Sequence, residues 1–384
     1  MIVEQLSLVD FRNYEHADLA FAAGANLLVG SNGQGKTNLA EAITYLATLG
    51  SHRVSADAPL VRAGADAAIV RVRLAHGERR MMLEMQINKQ GSNKARVGGA
   101  PVRTAELPRY AQVVLFAPED LQIVRGDPSA RRRFADQLLV QRIPRMAGVL
   151  ADYERVLRQR TALLKSARAR GLRAESLPTL DVWDDKLVTL GSEIIDARTR
   201  LADELHPPLV AAYAAIAGAD HSPELAWASS LAGADPEEDA DAAAALATGD
   251  TAAAFRTALA ARRSAELERG VTLVGPHRDD LLVRIRSLPV KGYASHGESW
   301  SVALALRLAS AQLLRADSAL GDPIVILDDV FAELDADRRA RLATLVADFE
   351  QVIVTAAVEA DVPPGLRGRT VRIRSGRIED VDDD

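Results

Sequence analysis

The sequence predicts an α/β nucleotide-type fold, made of two separated segments around a mainly helical insertion. Three observations carry that prediction. A glycine-rich loop stands between an apolar run and a helical pattern near the N-terminus. A second apolar run ends in two carboxylates near the C-terminus. The two lie 292 residues apart, counted from Lys36 to Asp328, far more than adjacent strands of one compact domain need.

The first element is Gly30-Ser31-Asn32-Gly33-Gln34-Gly35-Lys36-Thr37, which fits G-x-x-x-x-G-K-[ST] at every fixed position. It follows Asn26-Leu27-Leu28-Val29 and opens a helical stretch with Leu39, Ile43, Leu46 and Ala47 on one face. Strand, loop and helix in that order are the context a phosphate loop requires. Gly30, Gly33 and Gly35 let the backbone turn its N–H groups toward phosphate oxygens, with the helix N-terminus behind them. Lys36 is placed to reach the β- and γ-phosphates of ATP, and the Thr37 hydroxyl to ligate Mg²⁺.

The second element is Pro323-Ile324-Val325-Ile326-Leu327-Asp328-Asp329. An apolar run of this kind reads as a parallel strand buried on both faces. Ligands of such sheets sit at the carboxyl ends of the strands, where these acids fall. Asp328 is expected to hold Mg²⁺, and Asp329 to orient or activate the attacking water.

Between and beyond these elements stand shorter motifs. Tyr293-Ala294-Ser295-His296-Gly297-Glu298, ahead of a helical run from Trp300 to Leu314, resembles the S-x-G-[QE] signature of ABC-type ATPases. Ala332-Glu333-Leu334-Asp335 resembles their D-loop. Phe11-Arg12-Asn13-Tyr14 resembles a segment that lies near the nucleotide base in SMC-like ATPase heads. Two further stretches are similar to hallmarks of the RecF family: Pro118-Glu119-Asp120-Leu121 through Arg131-Arg132-Arg133-Phe134, and Val274-Gly275-Pro276-His277-Arg278-Asp279-Asp280.

The matches cover both ends and the middle of the chain, which therefore resembles the RecF family as a whole. That resemblance implies an ABC-type, SMC-like head carrying an inserted arm. It implies ATP and Mg²⁺ as cofactors, with Arg12 and Asn13 beside the nucleotide and Ser295, Gly297 and Glu298 acting in trans across an ATP-bound homodimer. It also implies binding to gapped, single- and double-stranded DNA, work with RecR and RecO to help load RecA, and a place in the SOS response. The family pattern is not matched everywhere. Asp329 stands where most ABC ATPases have Glu, Thr355-Ala356 follows Val354 where a switch histidine is usual, and Glu119 is the candidate at the Q-loop. A slow, DNA-stimulated ATPase used as a switch is the expectation. The rival readings are a soluble ATP-binding subunit of a transporter and a small-molecule P-loop kinase. The first would place its acidic strand nearer the P-loop, and the second would lack the signature and D-loop.

Composition narrows the setting. The 384 residues include no cysteine, which excludes disulfides, zinc ribbons and thiol catalysis. The seven histidines are scattered without metal-ligand spacing. Apolar runs fall short of the ~18 residues of a membrane span, and the N-terminus reads as a strand, so a cytoplasmic protein without membrane partners is expected.

Net charge is −6, but its distribution is uneven. Residues 125–173 carry thirteen basic side chains against four acids, +9 locally, leaving −15 for the rest. That reads as a footprint for DNA phosphates, with Arg131, Arg132, Arg133, Arg155, Arg158, Lys165 and Arg168 as candidates. Phe134 and Tyr153 are the segment's aromatics, too few for base stacking to dominate.

The expected layout is a head of residues 1–124 and 270–384 with an arm of residues 125–269. Strands are expected at about 2–9, 18–21, 26–29, 68–74, 81–87 and 112–116. A helical pattern runs from about Ser129 to Arg170, a turn covers Gly171 to Asp181, and a second helix runs from Asp184 to Ile216. Two such helices, about 45 Å each, would form a short antiparallel arm. An Ala/Asp-rich stretch at 232–250 and a helix at 251–268 follow. After Gly270 the chain is expected to return to the ATPase sheet, with His277, Arg278 and Asp279 fixing a turn between arm and head.

Overall fold

The computed structural model describes residues 1–171, 178–232, 249–318 and 321–382. The acidic run at 235–239, most of the stretch at 232–250, and part of the turn expected at 171–181 lie outside the described residues.

The chain divides into two compact units. The first comprises Met1–Arg125, Pro207–Pro223 and Ala294–Asp384. Its N-terminal part is an antiparallel sheet in the order β2-β1-β4-β5-β6-β7. These strands are β1 (Ile2–Phe11), β2 (Tyr14–Ala20), β4 (Ala67–His76), β5 (Arg79–Asn88), β6 (Lys94–Val97) and β7 (Ala100–Val102). Alternating burial along β1 and β4 turns Val3, Leu6, Leu8, Val70 and Val72 into one core. The short β6 and β7 escape the sequence reading because a three- or four-residue strand carries too little alternation to register.

A second sheet runs in the order β15-β14-β3-β13-β12-β8. It holds β3 (Gly24–Val29), β8 (Val113–Phe116), β12 (Ile324–Asp328), β13 (Gln351–Ala356), β14 (Arg369–Arg374) and β15 (Arg377–Asp382). The first five are parallel, and β15 returns antiparallel beside β14. β8, β12 and β13 are buried along their whole length and mostly apolar, as strands covered on both faces are, with Asp328, Gln351 and Thr355 the buried polar exceptions. Helix α1 (Lys36–Thr48) packs its Leu39, Ile43 and Leu46 into the core shared with both sheets.

The second unit comprises Gly126–His206 and Glu224–Tyr293. It is built on α3 (Pro128–Arg142), α4 (Met146–Ala169), most of α5 (Pro178–Ala217) and α6 (Thr251–Arg269); α2 (Leu121–Arg125) precedes it in the first unit. Leu164, Ala167, Leu180 and Leu267 join α4, α5 and α6 in one apolar cluster. The continuous helical run expected from 129 to 170 is in fact two helices. Pro144 excludes Ile143 from helical backbone, and the chain turns there. α5 begins six residues earlier than expected because Pro178, taken as a turn signal, sits at a helix start where its missing N–H costs nothing.

The expected division also shifts. Residues 270–293 belong to the second unit, where β10 (Asp280–Ile285) pairs with β9 (Glu224–Ala228) and β11 (Leu288–Pro289) in a three-stranded antiparallel sheet. The arm is therefore not purely helical, and the turn at His277 lies inside it. The other shift follows two prolines. Pro207 and Pro208 stand inside α5, each removing a helical hydrogen bond, and the boundary between units falls at His206–Pro207.

Candidate nucleotide-binding site

The loop from Gly30 to Gly35 leaves the end of β3, and α1 begins at Lys36. Two glycines have identifiable reasons. A Cβ on Gly30 would stand 2.3 Å from the Ile373 carbonyl oxygen of β14, and Gly35 has φ +117° with the Tyr14 hydroxyl 2.7 Å from where its Cβ would be. Ser31, Asn32 and Gly33 are exposed at the crest of the loop, whereas Lys36 is buried. Its Nζ donates to the Gly30 and Ser31 carbonyls at 2.7 and 3.3 Å, so the ammonium is already drawn across the loop's mouth.

The FRNY segment supports this loop from below. Asn13 Nδ2 donates to the Gln34 carbonyl (3.2 Å), and Asn38 Nδ2 of α1 donates to Asn13 Oδ1 (2.7 Å). Gln34 in turn accepts from Gly376 N with its carbonyl and from Ser375 N with its side chain. Arg12 makes a bidentate pair with buried Glu41, at 2.7 and 2.6 Å. That pair overcomes the desolvation of Glu41, whose carboxyl is held below its ordinary range.

Across the sheet, β12 ends in the acidic pair. Because β13 separates β3 from β12, the α1 N-terminus lies over the carboxyl end of β12, and Thr37 Oγ1 donates to Asp328 Oδ1 (3.1 Å). Thr355, at the end of β13, donates from Oγ1 to the same oxygen (2.6 Å) and accepts from Asp329 N (3.0 Å). It braces both acids, a role the sequence reading missed because it sought a histidine there. Asp329 is half-buried and has φ +50°, a left-handed turn that takes the chain out of the strand. Burial, and then the charge of Asp329, push Asp328 up to about 6. A buried carboxylate short of positive charge, next to a threonine hydroxyl, is an oxygen donor set suited to a hard divalent cation.

The signature residues stand at the start of α7 (His296–Asp317). Ser295 is the exposed N-cap: its side chain accepts from Glu298 N, and Glu298 Oε2 accepts from Ser295 N. This capping box fixes the loop and leaves the helix N-terminus facing outward. Asp335 caps α8 (Ala336–Val346) and pairs with Arg338 at 2.6 Å. Arg338 Nε reaches Ser301 Oγ (3.1 Å), and its guanidinium is 3.1 Å from where a Cβ on Gly297 would be. D-loop and signature are thus joined within one chain, through an arginine the sequence gave no reason to single out.

The stretch from Pro118 also gains a physical account. Asp120 accepts two bonds from Arg307 of α7 (3.0 and 2.6 Å) and one from Ala117 N, while Arg125 Nε donates to Ser299 Oγ (3.0 Å). These residues hold the loop after β8 to the signature helix. Glu119, the Q-loop candidate, is exposed beside them.

The basic segment resolves into two kinds of arginine. Arg131 is buried, with Nε and Nη2 on the two oxygens of Asp280 (2.6 and 2.9 Å), and it corrects the expected phosphate contact: its donors are spent internally. Arg132 is half-buried, whereas Arg133, Arg155, Arg158, Lys165 and Arg168 are exposed. In the other hallmark, a Cβ on Gly275 (φ +126°) would lie 2.5 Å from the Tyr153 hydroxyl. Arg278 donates twice to the Thr272 carbonyl, and Asp279 accepts from Ser230 N (2.7 Å). The turn is held by its own side chains.

No helix among the described residues is long and apolar enough to cross a membrane. Residues 2–364 match the family described as RecF/RecN/SMC N terminal domain. A protein of Clavibacter sepedonicus described as DNA replication and repair protein RecF is 58% identical, covering 98% of this chain and 95% of the relative. One of Leifsonia xyli subsp. xyli, described in the same words, is 58% identical over 98% of this chain and 99% of its own. Among solved structures, the recombination mediator protein RecF with ATP, of the RecFOR pathway, has a TM-score of 0.85 at 26% identity, covering 100% of this chain and 97% of that one. The Smc head bound to the C-winged helix domain of ScpA is similar in fold, with a TM-score of 0.53 at 16% identity over 100% of this chain and 98% of that one. A nucleotide loop facing an acidic strand, a capped signature and these likenesses converge: the chain belongs to the RecF family of SMC-like, ABC-type ATPases.

Proposed function

We propose that this protein is an ATP-dependent DNA-binding protein of replication and recombinational repair. ATP binds on Gly30–Thr37 with Arg12 and Asn13 alongside, and two heads close on each other over DNA at single-strand gaps. Slow hydrolysis then releases them. With RecR and RecO the protein assists RecA loading, as part of the SOS response in the cytoplasm. The first unit is the head, and the second is the DNA-facing arm.

The observation that carries the reading is the geometry at Lys36, Thr37 and Asp328, together with a Ser295 left exposed at its helix N-terminus. Lys36 exchanges its loop carbonyls for β- and γ-phosphate oxygens, a point charge matched to the charge that develops in transfer. Thr37 and Asp328 hold Mg²⁺, which supplies charge neutralisation when bound. Asp329, shorter by one methylene than the usual Glu, orients the attacking water at longer reach, which accords with slow turnover. Ser295 and the N-terminus of α7 meet the γ-phosphate of the facing subunit, where backbone N–H groups and the helix dipole favour negative charge.

The test compares binding to gapped, duplex and single-stranded DNA with and without ATP, alongside light scattering of Ser295→Arg. ATP should tighten binding to gapped DNA most. The variant should bind ATP on its own P-loop yet stay monomeric in ATP with Mg²⁺. ATP-independent DNA binding, together with a variant that dimerises like wild type, would remove the clamp reading.

A further inference from the structure

The second unit contains a cleft of about 350 Å³ that no part of the ATPase reading uses. It lies between α4, α5 and the turn at Pro276-His277. Its apolar lining includes Leu150, Leu157 and Ile194. Its polar lining includes Arg132, Arg198 and the Tyr153–His277 pair.

Three arginines (Arg132, Arg158 and Arg198) and two carboxylates (Asp136 and Glu154) line the cleft. Arg198 is matched by Asp136, with Nε and Nη2 each 2.8 Å from its oxygens, and Nη1 goes to the Pro276 carbonyl. Arg158, on the exposed rim, stands 3.5 Å from Glu154. His277 contributes no charge. Its Nε2 faces the Thr272 carbonyl (3.3 Å), which can only accept, so Nε2 carries the proton and Nδ1 accepts from Tyr153 O–H (2.8 Å). Burial holds the ring neutral, down to about 4. Arg132 is left over. One N–H goes to the Asp279 carbonyl (2.8 Å), and among the described residues no carboxylate lies within ion-pair distance of it. Burial, and next the neighbouring Arg198, work against its charge, and the nearby carboxylates of Asp280, Asp136 and Asp279 offset this only in part, leaving its remaining donors for an anion in the cleft.

We propose that this cleft is a binding site for a single phosphorylated nucleotide, free or at the end of a DNA strand. Arg132 takes the phosphate, and the apolar lining of Leu150, Leu157 and Ile194 takes the base or sugar. A guanidinium with free donors matches phosphate oxygens in a planar fork. The volume lies at the small end of ligand pockets, room for one nucleotide and not for a duplex. Exposed Arg155 and Arg158 on α4 stand at the rim, each beside an exposed carboxylate of the same helix, Asp152 and Glu154.

The strand-end form rests on the proposed DNA reading, whereas the free-nucleotide form does not. The experiment uses the full chain with Lys36→Met, which removes the P-loop's own hold on phosphate. Calorimetric titrations with AMP, and with short single-stranded oligonucleotides bearing a 5′-phosphate or a 5′-hydroxyl, should find one site per chain. Arg132→Gln, which keeps a donor for the Asp279 carbonyl but loses the charge, should weaken it at least tenfold. Leu157→Trp, which fills the cleft and leaves every charge in place, should abolish it. Binding of AMP alone assigns the free nucleotide; tighter binding of the phosphorylated oligonucleotide assigns the strand end. No binding of any probe, or binding indifferent to both substitutions in folded protein, would overturn the proposal.

Discussion

The nucleotide site and the arginine-rich segment of the second unit are both conspicuous in the sequence, yet their side chains are placed by different means. At the nucleotide site, each residue is placed by the backbone motif that contains it. A loop of fixed length delivers Lys36 and Thr37 to a helix start, and a buried strand delivers Asp328 to its carboxyl end. In the arginine-rich segment, position within a helix decides whether a charge faces solvent or the core. Arg131 and Arg160 are buried and locked to buried or half-buried carboxylates, whereas Arg155 and Arg158 stand in water with only the exposed Asp152 and Glu154 of their own helix beside them. Local charge density therefore counts two physically different populations as one. Motifs that dictate backbone geometry transfer from sequence to structure; composition does not.

The largest effect on activity is expected at Lys36. If the loop positions its residues for chemistry, Lys36→Met removes the charge facing the β- and γ-phosphates. ATP turnover should fall by about 100-fold or more, equivalent to ~3 kcal/mol of lost stabilisation. Steady-state hydrolysis and nucleotide titration check this. Unchanged affinity and turnover in a folded variant would mean the loop is only a turn.

Arg160 tests the other side. Its guanidinium is fully buried, bound to Asp184 at 2.6 Å, Glu266 at 2.5 Å and Thr272 at 2.9 Å, and so ties α4, α5 and α6 together. Arg160→Met leaves fully buried Glu266 without its counter-charge. The loss should be about 3–5 kcal/mol in denaturant unfolding. Arg158→Met, two residues away on the exposed face, should stay within about 0.5 kcal/mol. Equal effects would erase the distinction between the two populations.

Asp328 sharpens the first region through pH. Its folded pKa, about 6, lies above the ordinary carboxylate value of 3.8, so the folded chain binds its proton more tightly than the unfolded chain does. Without nucleotide, stability is therefore lost as pH rises from about 4 through 6, by at most ~3 kcal/mol. Asp328→Asn removes that loss, so the variant should be the more stable of the two at pH 7 but not at pH 4, while losing Mg²⁺-dependent turnover. Parallel melting curves with no divergence across this window would show that the site carries no such strain.

Much of the site was legible because its motifs impose backbone conformations that few residue types allow. What escaped were partners supplied from elsewhere in the chain. Thr355 braces both acids, yet a threonine ending a strand carries no signature of its own. Arg307 and Arg338 are ordinary helical arginines until Asp120 and Asp335 are brought beside them. The fold shows the same limit. Long strands with alternating burial were found near their true bounds, whereas β9, β10 and β11 were missed, since their pairing joins segments more than fifty residues apart or is only two residues long. Proline acts in both directions: Pro144 ends a helix that periodicity alone continues, and Pro178 opens one.

The smallest effect concerns how exposed charges meet DNA. Phosphate contacts release counterions, and each one lost lowers the slope of log affinity against log salt by roughly 0.7–0.9. Arg155, Arg158, Lys165 and Arg168 are exposed along α4, so neutralising them one at a time should flatten the slope stepwise and weaken all sequences alike. Arg155 and Arg158 stand beside Asp152 and Glu154, and Arg168 donates to the Arg269 carbonyl at 3.2 Å, so the step at Lys165 should be the largest. Arg131→Gln supplies the contrast. Its guanidinium never reaches solvent, so the slope should stay as in wild type while the melting temperature drops. A slope that responds to Arg131 and ignores the four exposed residues would show that charge density had been the better guide, and burial the worse.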